Sequence, residues 1–227
     1  MSRFLRIHLL FFSFLFFCFI AEAGKSSPIR TSSTLQFTEN EGQWAQNVQY
    51  VADLASGKLV VEKNTLGFLM WDGAAVNEAH HSYSVTNIQA HLFKIHFSNC
   101  NPSTEIIPSE KEKTYRNYFK GNNPANWASH VPLFKKISYK NLWNGIDANL
   151  YGSGDALKYD FRIQPNANVA NVQLQYEGID GIKISEGEIH YKTSLGEFRE
   201  LSPYAYQIIN GKLIEVKCGY VLDEKTN

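Results

Sequence analysis

Residues 88–97 read Ile88-Gln89-Ala90-His91-Leu92-Phe93-Lys94-Ile95-His96-Phe97, and this stretch decides the fold. Phe93, Ile95 and Phe97 recur at every second position, with Lys94 and His96 between them. A period of two sends alternate side chains to opposite faces of an extended strand, so one face is core and the other is wet. The alternation continues in both directions. Upstream, Val48, Tyr50 and Ala52 share a face, and the runs 58–62 and 66–71 flank Lys63-Asn64-Thr65. That spacing predicts a hairpin, with Asn64 in the left-handed turn conformation that asparagine tolerates. Downstream, Val172, Leu174 and Tyr176 alternate with Gln173 and Gln175. Ile189 and Tyr191 alternate with His190 and Lys192, ahead of a turn at Leu195-Gly196-Glu197.

No stretch longer than about two turns keeps a helical stripe, and turn signals recur every ~8–15 residues, a spacing typical of sandwiches and barrels. Asn123-Pro124-Ala125-Asn126-Trp127 predicts one turn of helix, with Asn123 as the cap, Pro124 in the first position and Trp127 covering the sheet. The expected fold is therefore all-β: a large antiparallel β-sandwich, single or as two packed sub-sandwiches, with at most one or two short helical turns.

The first residues have a different logic. Arg3 and Arg6 precede an apolar run over residues 9–20, followed by Ala21-Glu22-Ala23 and Gly24, the layout of a cleavable secretory signal over residues 1–23. The run is about 12 residues, short of the ~20 that cross a bilayer as a helix, so no membrane span is expected once the signal is removed. Cys18 has Phe16, Phe17 and Phe19 around it where a lipoprotein signal would need small residues. Residues 24–34, rich in Ser, Thr and Lys, read as a flexible leader. The domain is expected over 35–222, and 223–227 as a tail or a truncation point, because the chain stops just after a strand-like run at 212–222.

Of 227 residues, removal of the 23-residue signal leaves 204, enough for a substantial core. Arg3, Arg6 and Glu22 leave with it, so 22 basic and 22 acidic residues become 20 and 21, a net charge of −1 with histidines neutral. A nearly neutral chain has no electrostatic reason to seek nucleic acid. Cys100 and Cys218 remain as a candidate disulfide in an exported chain, with two buried thiols as the alternative.

Each chemical reading competes with a plainer one. Asp147, Asp155 and Asp160 are candidate acid/base groups if Gly152-Ser153-Gly154-Asp155 is a hairpin turn, since glycosidase carboxylates stand ~5–10 Å apart. Turns favour Asp for its backbone hydrogen bonds, which is the plainer account of Asp155. Asp147 and Asp155 are also candidate ligands for a structural calcium ion; no other cofactor is expected. Adjacent His80 and His81, and His91 and His96 five apart, point to opposite faces of a strand and so make no bidentate site. His80 and His81 also fall in a polar connection, residues 77–84. There is no Gly-x-Ser-x-Gly elbow, no phosphate-cradling loop and no dinucleotide fingerprint. Trp71 and Trp127 are candidate aromatics for stacking on sugar rings, against the plainer reading that aromatics fill the core.

Five motifs, in order, carry a resemblance: residues 37–44 (FTENEGQW), 117–127 (NYFKGNNPANW), 139–147 (YKNLWNGID), 157–161 (LKYDF) and 203–207 (PYAYQ). Over roughly 35–222 the chain resembles a domain of unknown function from gliding and surface-colonising bacteria. In such proteins the domain usually opens a long secreted chain, ahead of propeller-like or PKD repeats and a gliding-motility-associated sorting segment. Asn144 stands where relatives often have proline, and Asn166 where a glycine is common after Pro165. The resemblance supplies no catalytic residue. It implies an exported, non-enzymatic module, secreted, on the outer cell surface or in the periplasm, that supports adhesion or scaffolding. Its expected partner is a surface polysaccharide or another cell-envelope protein. The alternatives are a carbohydrate-binding module and, third, a carboxylate-based glycoside hydrolase.

Overall fold

The computed structural model describes residues 3–9, 14–20, 35–81, 87–153 and 156–223. The cleavage site after Ala23, the leader at 24–34, Asp155 and the last four residues therefore lie outside the described residues. Every described strand pair is antiparallel, and the fold is all-β as expected. The backbone of two strands near the start, β1 (Arg3–Leu9) and β2 (Phe14–Ile20), is followed by β3 (Phe37–Glu39), β4 (Val48–Leu54), β5 (Gly57–Glu62) and β6 (Thr65–Trp71). Helix α1 (Gly73–His81) precedes β7 (Ala90–Phe97), and a long hairpin follows, β8 (Glu105–Tyr118) with β9 (Ala128–Trp143). The remaining strands are β10 (Ile146–Ser153), β11 (Ala156–Ile163), β12 (Gln173–Glu177), β13 (Gly181–Ser185), β14 (Glu188–Thr193), β15 (Gly196–Glu200), β16 (Tyr204–Ile209), β17 (Lys212–Val216) and β18 (Cys218–Asp223).

Strand β9 organises the sheet. One edge pairs with β8, and the other pairs first with β3 and then with β10. Two wings leave from there. The first runs β3-β4-β5-β6-β7-β12, and the second runs β10-β11; β2, which lies within the expected 1–23 signal, pairs with β11, β15 and β16, so that link belongs to the uncleaved chain. The predicted layers are thus two parts of one curled antiparallel sheet. Its core is dominated by rings. Phe93 of β7 meets Tyr191 of β14 at 5.2 Å between centroids, and Phe97 meets Tyr139 at 5.3 Å and Trp143 at 5.8 Å. Tyr139, Tyr176, Tyr191, Phe37, Phe68, Phe93, Phe161 and Leu59 are the largest fully buried side chains, so rings supply most of the apolar area that drives collapse.

Several local expectations hold. Phe93, Ile95 and Phe97 are buried while Lys94 and His96 are not. Asn123 caps the 3-10 turn Pro124–Asn126 by accepting from Ala125 N–H at 3.0 Å. Asn166 adopts φ +67°, the left-handed conformation for which glycine is the usual residue. Others need correction. The 58–71 hairpin forms, but Asn64 keeps a negative φ, so the turn does without a left-handed residue there. Residues 73–81 are helical: Asp72 Oδ1 accepts from the N–H groups of Ala74 and Ala75, a cap that initiates the helix at an alanine pair. The run 212–222 breaks at Lys217 into β17 and β18.

Candidate functional site

Of the three carboxylates suggested for acid/base work, the two among the described residues, Asp147 and Asp160, are occupied in holding strands together. Asp147 Oδ2 accepts from Lys140 Nζ at 2.9 Å and its Oδ1 from Asn141 N–H at 2.8 Å. Asp160 Oδ1 accepts from Asn149 Nδ2 at 2.8 Å, and Asn149 Oδ1 accepts from Ser138 Oγ at 2.8 Å, a polar rung across β9, β10 and β11. Asn149 opposes Asp160 and Arg162 opposes Asp147, so the two aspartates share a face as diagonal neighbours. Burial pushes the Asp160 carboxyl above the usual range, against the lowering effect of Asn149. No group of three or more His, Cys, Asp or Glu side chains able to hold a metal ion occurs among the described residues.

The histidines serve packing and strand closure. His91 Nε2 donates to Gly178 O at 2.6 Å when its Nδ1 accepts from Ser194, at 2.9 Å from Oγ and 3.3 Å from the backbone N. That tautomer ties β7 to the two turns flanking β13 and β14. His96 lies between Thr65 Oγ1 at 3.0 Å and Glu177 Oε2 at 2.6 Å. His80 and His81 are at the end of α1, not in a strand or an open polar loop. Cys100 and Cys218 are free thiols, half-buried, and burial pushes both above the ordinary thiol range. Cys218 Sγ donates to Pro203 O at 3.2 Å. In this structure the pair stands as two half-buried thiols with no bond between them.

The aromatics divide by location. Trp143 is buried, 3% exposed, with its indole N–H donating to Ser98 O at 2.8 Å. Trp71 is half-buried at the end of β6. Trp127 is 43% exposed and does not cover the sheet as expected. It stands beside Phe119, 65% exposed, at the turn of the β8–β9 hairpin, with Trp127 Nε1 donating to Gly121 O at 3.2 Å. The two rings are 5.5 Å apart and 85° to one another, an edge-to-face pair and not a flat platform. Next to them Trp44 meets Tyr118 at 5.2 Å, with Lys120 Nζ over both rings at 5.6 and 5.9 Å.

Three features were invisible at the level of single motifs. A shallow cleft of about 360 Å³ at the opposite end of β9 is lined by Asn99, Asn101, Asn144, Asn171 and Gln173 with Cys100, Pro102 and Trp143. It carries carboxamides and no charged side chain. The repeated Asn around Cys100 was the available signal, but the β9–β10 turn and the segment leading into β12 supply the remainder. Second, the β16–β17 hairpin exposes Ile208, Ile209, Leu213 and Ile214. Its aliphatic residues alternate in neither strand, so both faces are apolar. Third, Glu200 is fully buried on β15. Its Oε1 accepts from Tyr176 OH at 2.6 Å and its Oε2 from Tyr159 OH. Burial pushes its carboxyl up, and the two phenols pull the other way.

No curated protein and no solved structure matches the chain. A family model does, and its match from residue 37 to residue 227 spans the five motifs, the aromatic hairpin tip, the carboxamide cleft and the buried Glu200. The chain therefore belongs to the family described as Domain of unknown function (DUF7948).

Proposed function

We propose that the chain is a non-catalytic, exported module of a secreted or cell-surface protein, of the kind found in gliding bacteria, and that it supports adhesion or scaffolding. The observation that carries this reading is the tip of the β8–β9 hairpin, where Phe119, Trp127 and Tyr115 stand exposed. Exposed rings clustered at one end of a sheet are costly to keep in water unless a partner covers them. The carboxylates and histidines, by contrast, are engaged in cross-strand bonds, which favours structure over catalysis.

Fractionation of cells producing the full-length chain, with mass spectrometry of the product's N-terminus, tests export. A product beginning at Gly24 and cleaved by protease added to intact cells is expected, and a product retaining residues 1–23 inside the cell refutes it. Replacing Phe119 and Trp127 together with alanine is expected to weaken surface attachment without unfolding the domain. A carbohydrate-binding role is the second reading, favoured by exposed Trp127; the perpendicular setting of Phe119 favours a ligand edge seated between the rings over a sugar lying flat on both.

A further inference from the structure

We infer that the cleft between the β7–β8 connection, the β9–β10 turn and the start of β12 is a binding site for a neutral sugar residue. The inference takes its class of ligand from the carbohydrate reading but places it away from the aromatic tip. Trp127 precedes the first residue of β9 and Trp143 is its last, so the two sites are about 50 Å apart along one strand.

The chemistry of the lining selects the ligand. Five carboxamides, from Asn99, Asn101, Asn144, Asn171 and Gln173, converge with no Lys, Arg, Asp or Glu among them. Each carboxamide offers two donors and an acceptor with two lone pairs, which matches a hydroxyl that both donates and accepts. Phosphate, nucleic acid or a carboxylate would instead call for a cation. Much of this capacity is unspent. Gln173 is committed, donating to Ala170 O at 3.1 Å and accepting a long contact from Asn99 Nδ2 at 3.4 Å. Asn101 uses only its oxygen, accepting from Ser103 N–H at 3.0 Å and Ser103 Oγ at 2.7 Å. The side-chain amides of Asn144, which is exposed, and of half-buried Asn171 make no hydrogen bond to protein among the described residues.

Local turns set the backbone on which these amides stand. Asn99 takes φ +53°, and Asn168 caps the 3-10 turn that ends in Asn171 by accepting from Ala170 N–H at 3.1 Å. Asn144 precedes Gly145 at φ +74°, where a Cβ would meet the Ala167 side chain at 2.9 Å. Ser98 joins the walls: its N–H donates to Gln173 O at 2.9 Å, its C=O accepts from the Trp143 indole, and its hydroxyl is buried without a partner among the described residues. Beneath the amides, Trp143 is wedged against Phe97 and Phe161, which holds the floor rigid.

The test is side-chain amide NMR of the full chain titrated with glucose, galactose, mannose and N-acetylglucosamine, with glucuronic acid and inorganic phosphate as charged probes. At least one neutral sugar is expected to shift the Asn144 and Asn171 amides, with a Kd of about 1–10 mM for a small, open site. Asn144→Ala and Asn171→Ala, both removing unbonded amides, are each expected to weaken binding at least about tenfold with unchanged melting. Trp127→Ala is expected to leave it unchanged. No shift with any neutral sugar at about 100 mM overturns the inference, as does binding that survives both asparagine variants or that favours the anions. Loss of binding in Trp127→Ala alone would instead move the sugar to the aromatic tip.

Discussion

The phenol of Tyr176 on β12 donates to Oε1 of Glu200 on β15 at 2.6 Å, and so joins the two wings of the sheet through a fully buried carboxyl. Tyr159 of β11 donates to the other oxygen. A carboxyl in this position is held up by desolvation and restrained by its two donors, and the net displacement is upward.

That displacement sets a pH dependence. A carboxyl whose folded value exceeds its unfolded value stabilises the fold fully below the unfolded value, and the contribution is lost as pH rises through the folded one. Urea unfolding at a series of pH values should therefore show wild type losing stability with rising pH across that window relative to Glu200→Gln. Glu200→Ala should be worse than either at every pH, by about 2–4 kcal/mol, because two buried phenols lose their acceptor.

Burial separates the tryptophans by consequence. Trp143→Ala should cost about 3–5 kcal/mol, since the ring fills space between Phe97 and Phe161. Trp127→Ala should cost less than about 1 kcal/mol, its ring being largely in water. Chemical denaturation midpoints of the two variants check the contrast.

Thiol chemistry follows from the free cysteines. Cys100 and Cys218 should react slowly with iodoacetamide at neutral pH, because burial holds both in the thiol form. Melting with and without reductant should coincide in the native protein, and peptide mapping without reductant should find no Cys100–Cys218 linkage.

The His91 clamp rests on a glycine. Gly178 has φ +79°, and a Cβ there would lie 2.8 Å from Leu92 O. Gly178→Ala should destabilise by about 1–3 kcal/mol through strain and contact together. His91→Ala should loosen the same junction, and hydrogen exchange should report it at Ser194 N–H before it appears in the strands of the core.

How far could the chain be read without its fold? Period-two patterning at 88–97 and 172–176 marked strands and even the buried face of each, because alternation is a local property of extended backbone. The Asn123 cap and the left-handed Asn166 were equally local. Helix α1 escaped because its stripe is short and weakly apolar, and only the Asp72 cap betrayed it. The hairpin at 58–71 was correct while its turn geometry was not, since strand pairing on both sides dictated the turn.

The site features divide along the same line. Composition and local pattern determined an antiparallel, aromatic-rich sheet and the absence of familiar catalytic motifs, because those are written in neighbouring residues. Only tertiary structure decided that Trp127 faces water while Trp143 is buried, that Cys100 and Cys218 remain apart, and that Glu200 meets two tyrosines from other strands. It alone gathered amides from Asn99, Asn144 and Asn171 into one cleft. Those outcomes depend on which distant segments pair as the sheet curls, and pairing across tens of residues is set by the packing of the whole core.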